Sequence, residues 1–260
     1  MTSKIQIFLP PRGYPLGANR TWKLGSVVLL PLLNALYSHD WKGGRNIPAT
    51  GPVIAISNHI SYVDPFVFTH FLYSQGRAVR FLAKESIFRV PVIGAILRGG
   101  GQVPIKRESP GASSDALAHA QRALEAGHCL GFYPEGTLTR DPGIWPMGAK
   151  TGLARLAVVT KVPVIPCAQW GAQSILEPYG RSFKMFPRRR VCVLAGEPLD
   201  FSPWFGMQDD PAAMMEATRY AMKGITDLLE ILRAESAPEV IFDPRQSALP
   251  RTGNFKKKAK

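Results

Sequence analysis

His59 and Asp64 stand five residues apart, directly after a short apolar run, Val53–Ser57, that reads as a strand. Asp64 is followed by Pro65 and Phe66, which reads as a helix start with the aspartate as N-cap and proline in the first turn. On one continuous helix this spacing would hold the two side chains apart, but across a strand-to-helix turn they can meet. A carboxylate bonded to one imidazole nitrogen fixes the tautomer and raises the basicity of the other, as a general base for a hydroxyl requires. The plainer reading takes Asp64 as a cap alone and His59 as a polar loop residue.

Two further clusters follow strand-like runs. After the run ending at Ile105 come Lys106 and Arg107, with Gly99, Gly100 and Gly101 ahead of it. A guanidinium fork beside an ammonium point charge suits a phosphate, and a solvated basic turn is the alternative. After the run ending at Tyr133 come Pro134, Glu135, Gly136 and Thr137. Glycine there admits a ligand close to the backbone, and Glu135 is placed to bind a glycerol or sugar hydroxyl or to brace Arg107. A backbone N–H near Gly136 is a candidate donor to an oxyanion. The alternative is an ordinary Pro-Glu-Gly turn.

The elements that must carry these residues are strands at Val53–Ser57, Arg80–Ala83, Gly101–Ile105, Cys129–Tyr133, Val162–Ala168 and Val191–Ala195, with helical patterns between them. Ala116, Leu117, Ala120 and Leu124 share a helical face that stops at Gly127. Asp210 and Pro211 open a last helix with Met215, Thr218, Met222, Ile225, Leu229 and Leu232 at helical spacing. Alternation of this kind predicts an α/β fold, a largely parallel twisted sheet flanked by helices. Ligands of such sheets bind outside the carboxyl ends of the strands, where all three clusters fall. Together they describe deprotonation of an alcohol that carries a phosphate.

With 45% hydrophobic and 20% charged residues the chain is neither disordered nor collagen-like, and 24 glycines and 23 prolines disfavour a helix bundle. Cys129, Cys167 and Cys192 lack zinc-knuckle spacing and read as core thiols in a reducing compartment. A net charge of +13 implies an anionic partner: nucleic acid, an acidic membrane surface or a phosphorylated substrate. No recognised nucleic-acid motif accompanies it, and a non-catalytic membrane adaptor would have no need of the His59–Asp64 pair. The 15 residues from Leu24 to Ser38 carry no charge and no histidine, yet they are too short to span a bilayer, and Pro31 interrupts them. They predict an N-terminal membrane-associated helical segment lying in one leaflet, with Trp22, Tyr37 and Trp41 at the headgroups. The chain closes with Arg251, Lys256, Lys257, Lys258 and Lys260, a mobile basic tail with anionic lipid as its functional partner. The expected organisation is 1–48 for the N-terminal segment, 49–234 for the catalytic domain and 235–260 for the tail.

These blocks resemble those of the glycerophospholipid acyltransferases, most closely the PlsC-type 1-acyl-sn-glycerol-3-phosphate acyltransferases. His59 to Asp64 is similar to their HxxxxD motif and Gly101-Gln-Val-Pro-Ile-Lys-Arg107 to their second block. Phe132-Tyr-Pro-Glu-Gly-Thr137 resembles their FPEGT block and Val162-Pro-Val-Ile-Pro166 their fourth, so the likeness covers about residues 50 to 200. The resemblance implies transfer of an acyl chain from acyl-CoA or acyl carrier protein to the free hydroxyl of lysophosphatidate, on the cytoplasmic face of the cell membrane, with no metal or bound cofactor. Glycerol 3-phosphate and a glycolipid headgroup are the alternative acceptors. It further implies that His59 takes the hydroxyl proton, Asp64 orients His59, Lys106 and Arg107 hold the acceptor phosphate, and Glu135, Gly136 and Thr137 position the acceptor. The arginine usual after the threonine is displaced by two, to Arg140, which is expected to reach back to that phosphate. With no GxSxG elbow and no cysteine near the clusters, direct transfer in a ternary complex is expected rather than a covalent acyl-enzyme.

Overall fold

Seven strands form a single sheet in the computed structural model, which describes residues 15–105 and 112–244. They are β1 Tyr37–Lys42, β2 Val53–Ser57, β3 Val79–Lys84, β4 Val103–Ile105, β5 Cys129–Phe132, β6 Val164–Trp170 and β7 Arg189–Ala195. Their order is β1-β7-β6-β2-β5-β3-β4, and every neighbouring pair is parallel except β6 with β7. Among the described residues seven α-helices flank the sheet: α1 Arg20–Leu36, α2 Asp64–Ser74, α3 Glu85–Phe88, α4 Pro91–Gly99, α5 Ala112–Glu125, α6 Gly152–Thr160 and α7 Pro211–Arg233. The mixed, mostly parallel α/β architecture expected from the sequence is therefore present.

Period-two alternation in the strands feeds two cores. Val53 and Ala55 of β2 pack with Val67, Phe68 and Phe71 of α2, whereas Ile54 and Ile56 pack with Leu153, Leu156 and Ala157 of α6 and with Met214, Ala217 and Ile225 of α7. Both faces of β2 are thus covered, which explains why it reads as an unbroken apolar run. Helix α7 starts where Asp210 accepts hydrogen bonds from the N–H groups of Ala212 and Ala213, with Pro211 in the first turn. Its buried face uses Met214, while Met215, expected inside, lies exposed.

The N-terminal region differs from its expected form in two respects. First, the helix ends at Leu36, and residues 37–42 form β1, paired in parallel with β7, so the segment expected to stand apart up to residue 48 supplies an edge strand of the sheet. Second, the three aromatic residues assigned to headgroups face protein. Tyr37 is fully buried with its hydroxyl 2.9 Å from His70 Nδ1, Trp41 is half-buried against His70 and Phe71, and Trp22 stacks on Tyr73 and donates to the Gly100 carbonyl. Helix α1 itself buries only Leu33 and leaves Leu24, Val27, Val28 and Leu32 exposed. No helix among the described residues is long and apolar enough to cross a membrane. The basic run from Arg251 to Lys260 lies outside the described residues.

Candidate active site

The carboxyl ends of β2, β5 and β6 lie side by side, because Ile56 pairs with Phe132 and Ser57 with Cys167. Asn58, the first residue beyond β2, locks this edge. Its side-chain amide donates to the Gln169 carbonyl at 3.0 Å and accepts from the Gln169 N–H at 2.8 Å, adding a rung between the β2 end and β6. The Gln169 amide returns a bond to Ser57 Oγ at 3.1 Å. All three residues are fully buried, where an unmet polar group would be costly, so the rung sets the chain direction into His59.

The turn after β2 brings His59 and Asp64 together. His59 Nδ1 lies 2.9 Å from Asp64 Oδ2, and the same oxygen accepts from the backbone N–H groups of Ile60 at 2.5 Å and Ser61 at 2.7 Å. An oxygen that accepts two N–H donors serves as an acceptor for the imidazole as well, which assigns the donor role to Nδ1 and leaves the lone pair on Nε2. The Asp64 side chain is completely buried and that of His59 is 16% exposed. Asp64 is not the N-cap that its Asp-Pro sequence suggests: it is the first helical residue, Val63 precedes it, and its carboxylate points back over the turn instead of forward into α2.

The residues of the Tyr133–Arg140 stretch clamp His59 from the other side. Glu135 Oε1 accepts the His59 N–H at 3.0 Å, and the His59 carbonyl accepts the Thr139 N–H at 2.7 Å. The imidazole stacks on the Tyr133 ring, with centroids 4.2 Å apart and planes 19° from parallel. Backbone, ring plane and tautomer of His59 are therefore each fixed by a different contact.

Several expected ligand contacts are replaced by structural ones. Glu135 is buried, and its second oxygen accepts the Met147 N–H at 3.2 Å, so it faces neither an acceptor hydroxyl nor solvent. Burial pushes its carboxyl up to about 8, against the opposing pull of the Met147 and His59 N–H groups. The Gly136 N–H is bonded to the Tyr133 carbonyl at 2.9 Å, and the glycine serves a left-handed turn at φ 70°. Thr137 is half-buried, with Oγ1 3.4 Å from the Tyr179 hydroxyl oxygen. Arg140 is turned inward: it is 3% exposed, and its guanidinium lies 5.7 Å from the Tyr179 ring centroid. Leu138 is buried. Lys106 and Arg107 lie outside the described residues, Ile105 being the last described residue before them.

Sequence reasoning passed over Asn58, Tyr133, Thr139 and Gln169. Asn58 and Tyr133 directly adjoin residues it singled out, whereas Gln169 is 111 positions from Asn58 and gives no local sign of its role. Among the described residues no group of three His, Cys, Asp or Glu side chains is placed to hold a metal ion.

The profile of the family described as Acyltransferase matches residues 40–170, about half of the chain, with His59, Asp64 and the Tyr133–Arg140 stretch inside it. A chloroplastic 1-acyl-sn-glycerol-3-phosphate acyltransferase of Brassica napus is 35% identical over 141 residues, which are 54% of this chain and 39% of that protein. A 1-acyl-sn-glycerol-3-phosphate acyltransferase of Borreliella burgdorferi is 30% identical over 126 residues, 48% of each chain. The aligned regions thus span less than half of these relatives. The crystal structure of the 1-acyl-sn-glycerophosphate acyltransferase PlsC of Thermotoga maritima superimposes with a TM-score of 0.60 at 23% identity, over 83% of this chain and 79% of that one. That likeness is one of fold.

Proposed function

The chain belongs to the Acyltransferase family, and from that premise we propose that it transfers an acyl group from acyl-CoA or acyl carrier protein to the free hydroxyl of lysophosphatidate, giving phosphatidate for phospholipid synthesis. The observation that carries this reading is the His59 imidazole, bonded through Nδ1 to a buried carboxylate and left with Nε2 as its base at the carboxyl edge of the sheet. Nε2 takes the acceptor hydroxyl proton as that oxygen attacks the thioester carbonyl. The tetrahedral intermediate collapses with cleavage of the C–S bond, and the proton on Nε2 passes to the departing thiolate. Asp64 stabilises the imidazolium formed in between. The names of the similar plant and bacterial proteins support lysophosphatidate as acceptor over glycerol 3-phosphate or a glycolipid.

A lysolipid acceptor resides in membranes, and the reading extends to attachment on one leaflet, with the cytoplasmic face suggested by the family resemblance. In support, α1 exposes Leu24, Val27, Val28 and Leu32, and α4 exposes Val92 and Ile96. The two helices are joined where Asn19 donates to the Gly99 carbonyl and Trp22 to the Gly100 carbonyl. An apolar surface of this kind on a chain of net charge +13 suits an anionic bilayer.

Incubating the purified protein with an acyl thioester and lysophosphatidate, glycerol 3-phosphate or a lysoglycolipid, and identifying products by mass, tests the reading. Phosphatidate is expected. Acylation of glycerol 3-phosphate or glycolipid alone would move the activity to another acceptor.

A further inference from the structure

Arg140 is buried beside the Tyr179 ring, and a second cationic side chain, that of Lys150, lies across the Gly136 turn. A Cβ on Gly136 would meet Lys150 Cε at 3.6 Å and Lys150 Cδ and Nζ at 3.7 Å each, so the lysine arm runs along the glycine's open side in ordinary van der Waals contact. Its backbone is fixed there, because the Lys150 N–H donates to the Pro134 carbonyl at 3.1 Å. Glu135 ties this place to the catalytic pair: one of its oxygens holds the His59 N–H, and the other holds the N–H of Met147, three residues before Lys150. The Lys150 side chain is exposed, and its ammonium makes no ion pair or hydrogen bond among the described residues.

We propose that Lys150 is a binding residue for the phosphate of the acceptor, its ammonium serving at the Gly136 turn. The inference rests on the lysophosphatidate reading above. In that substrate the reacting hydroxyl and the phosphate sit on adjacent carbons of one glycerol, so a hydroxyl held at His59 brings the phosphate to the rim of the same turn. An ammonium on a flexible arm is a point charge that can follow it, and no partner has to be broken to release the arm.

Acceptor and donor KM measured for the wild type, Lys150→Ala, Lys150→Arg and Lys150→Glu test the assignment, with lysophosphatidate and one fixed acyl-CoA as substrates. Lys150→Ala should raise the acceptor KM about 10- to 100-fold, the range of a lost charged hydrogen bond. Lys150→Arg should recover most of that loss, Lys150→Glu should exceed it, and the donor KM should stay constant throughout. Thermal midpoints should coincide, since the side chain is exposed and the backbone bond to Pro134 is retained. A Lys150→Ala acceptor KM within twofold of wild type, or a defect confined to the donor KM, overturns the assignment while leaving the activity intact. A wild-type protein that forms no phosphatidate overturns the activity reading itself, and the Lys150 assignment with it.

Discussion

Replacing Asp64 separates its two tasks. One carboxylate oxygen accepts three hydrogen bonds, from His59 Nδ1 and from the buried N–H groups of Ile60 and Ser61. Asp64→Ala strips the acceptor from both backbone groups, and at about 1–3 kcal/mol for each buried donor left unmet the cost is about 2–6 kcal/mol. Loss of a helix cap alone would cost about 1 kcal/mol. Asp64→Asn can place its amide oxygen where Oδ2 stands, keeping all three bonds and the imidazole tautomer but removing the charge that stabilises the imidazolium. Its stability should therefore stay much closer to wild type, while kcat falls about 10²–10⁴-fold, the span of general-base assistance. Urea unfolding followed by tryptophan fluorescence gives the first quantity, and initial rates of thiol release from the acyl thioester give the second. An Asp64→Ala penalty no larger than a cap loss would refute the bracing role, and an Asp64→Asn variant with wild-type kcat would refute its action through His59.

Three other outcomes follow from the same geometry. Glu135, raised to about 8 from 4.5, keeps its proton in the folded chain across an interval where the unfolded chain has lost it, so its contribution makes stability fall as pH rises from about 4.5 to about 8. The difference between wild type and Glu135→Gln in urea midpoint against pH should show that slope; His70, lowered to about 4 mainly by burial, contributes the opposite slope up to about 6.5 in both proteins and cancels. Arg140→Ala should lower stability by about 1–3 kcal/mol through loss of a buried cation on an aromatic ring, with the acceptor KM unchanged; a selective rise in that KM would return Arg140 to the phosphate site. Serine at Leu24, Val27, Val28 and Leu32 together should weaken sedimentation with anionic phosphatidylglycerol vesicles at least tenfold without altering the melting curve, and undiminished sedimentation would remove α1 from the membrane surface.

Much of the sheet was legible because strands covered on both faces are apolar throughout: Val53–Ser57 is found with the boundaries its sequence suggests. The meeting of His59 with Asp64 was legible as well, since strand, short turn and Asp-Pro helix start leave little freedom at that spacing. Strand β1 was not, because Tyr37-Ser-His-Asp-Trp-Lys42 lies at an edge and is half polar, and its β character comes from pairing with β7, about 150 residues away. Burial of charge was equally hidden. Glu135 and Arg140 are residue types that ordinarily face solvent, and only the tertiary placement of Met147 and Tyr179 shows why they turn inward. The same blindness concealed the side on which Asp64 makes its bonds, since cap and back-reaching bracket share one sequence.

The central claim, that His59 deprotonates the acceptor hydroxyl, is tested most directly by phosphatidate formation from lysophosphatidate and acyl-CoA in wild type and His59→Ala, read by mass spectrometry under identical protein and vesicle concentrations. The account predicts phosphatidate from the wild type and a rate lower by about 10²–10⁴ in the variant, which remains folded at the assay temperature although loss of the stack on Tyr133 and of the bond to Asp64 lowers its melting temperature. Phosphatidate formed by a folded His59→Ala protein at the wild-type rate would contradict it.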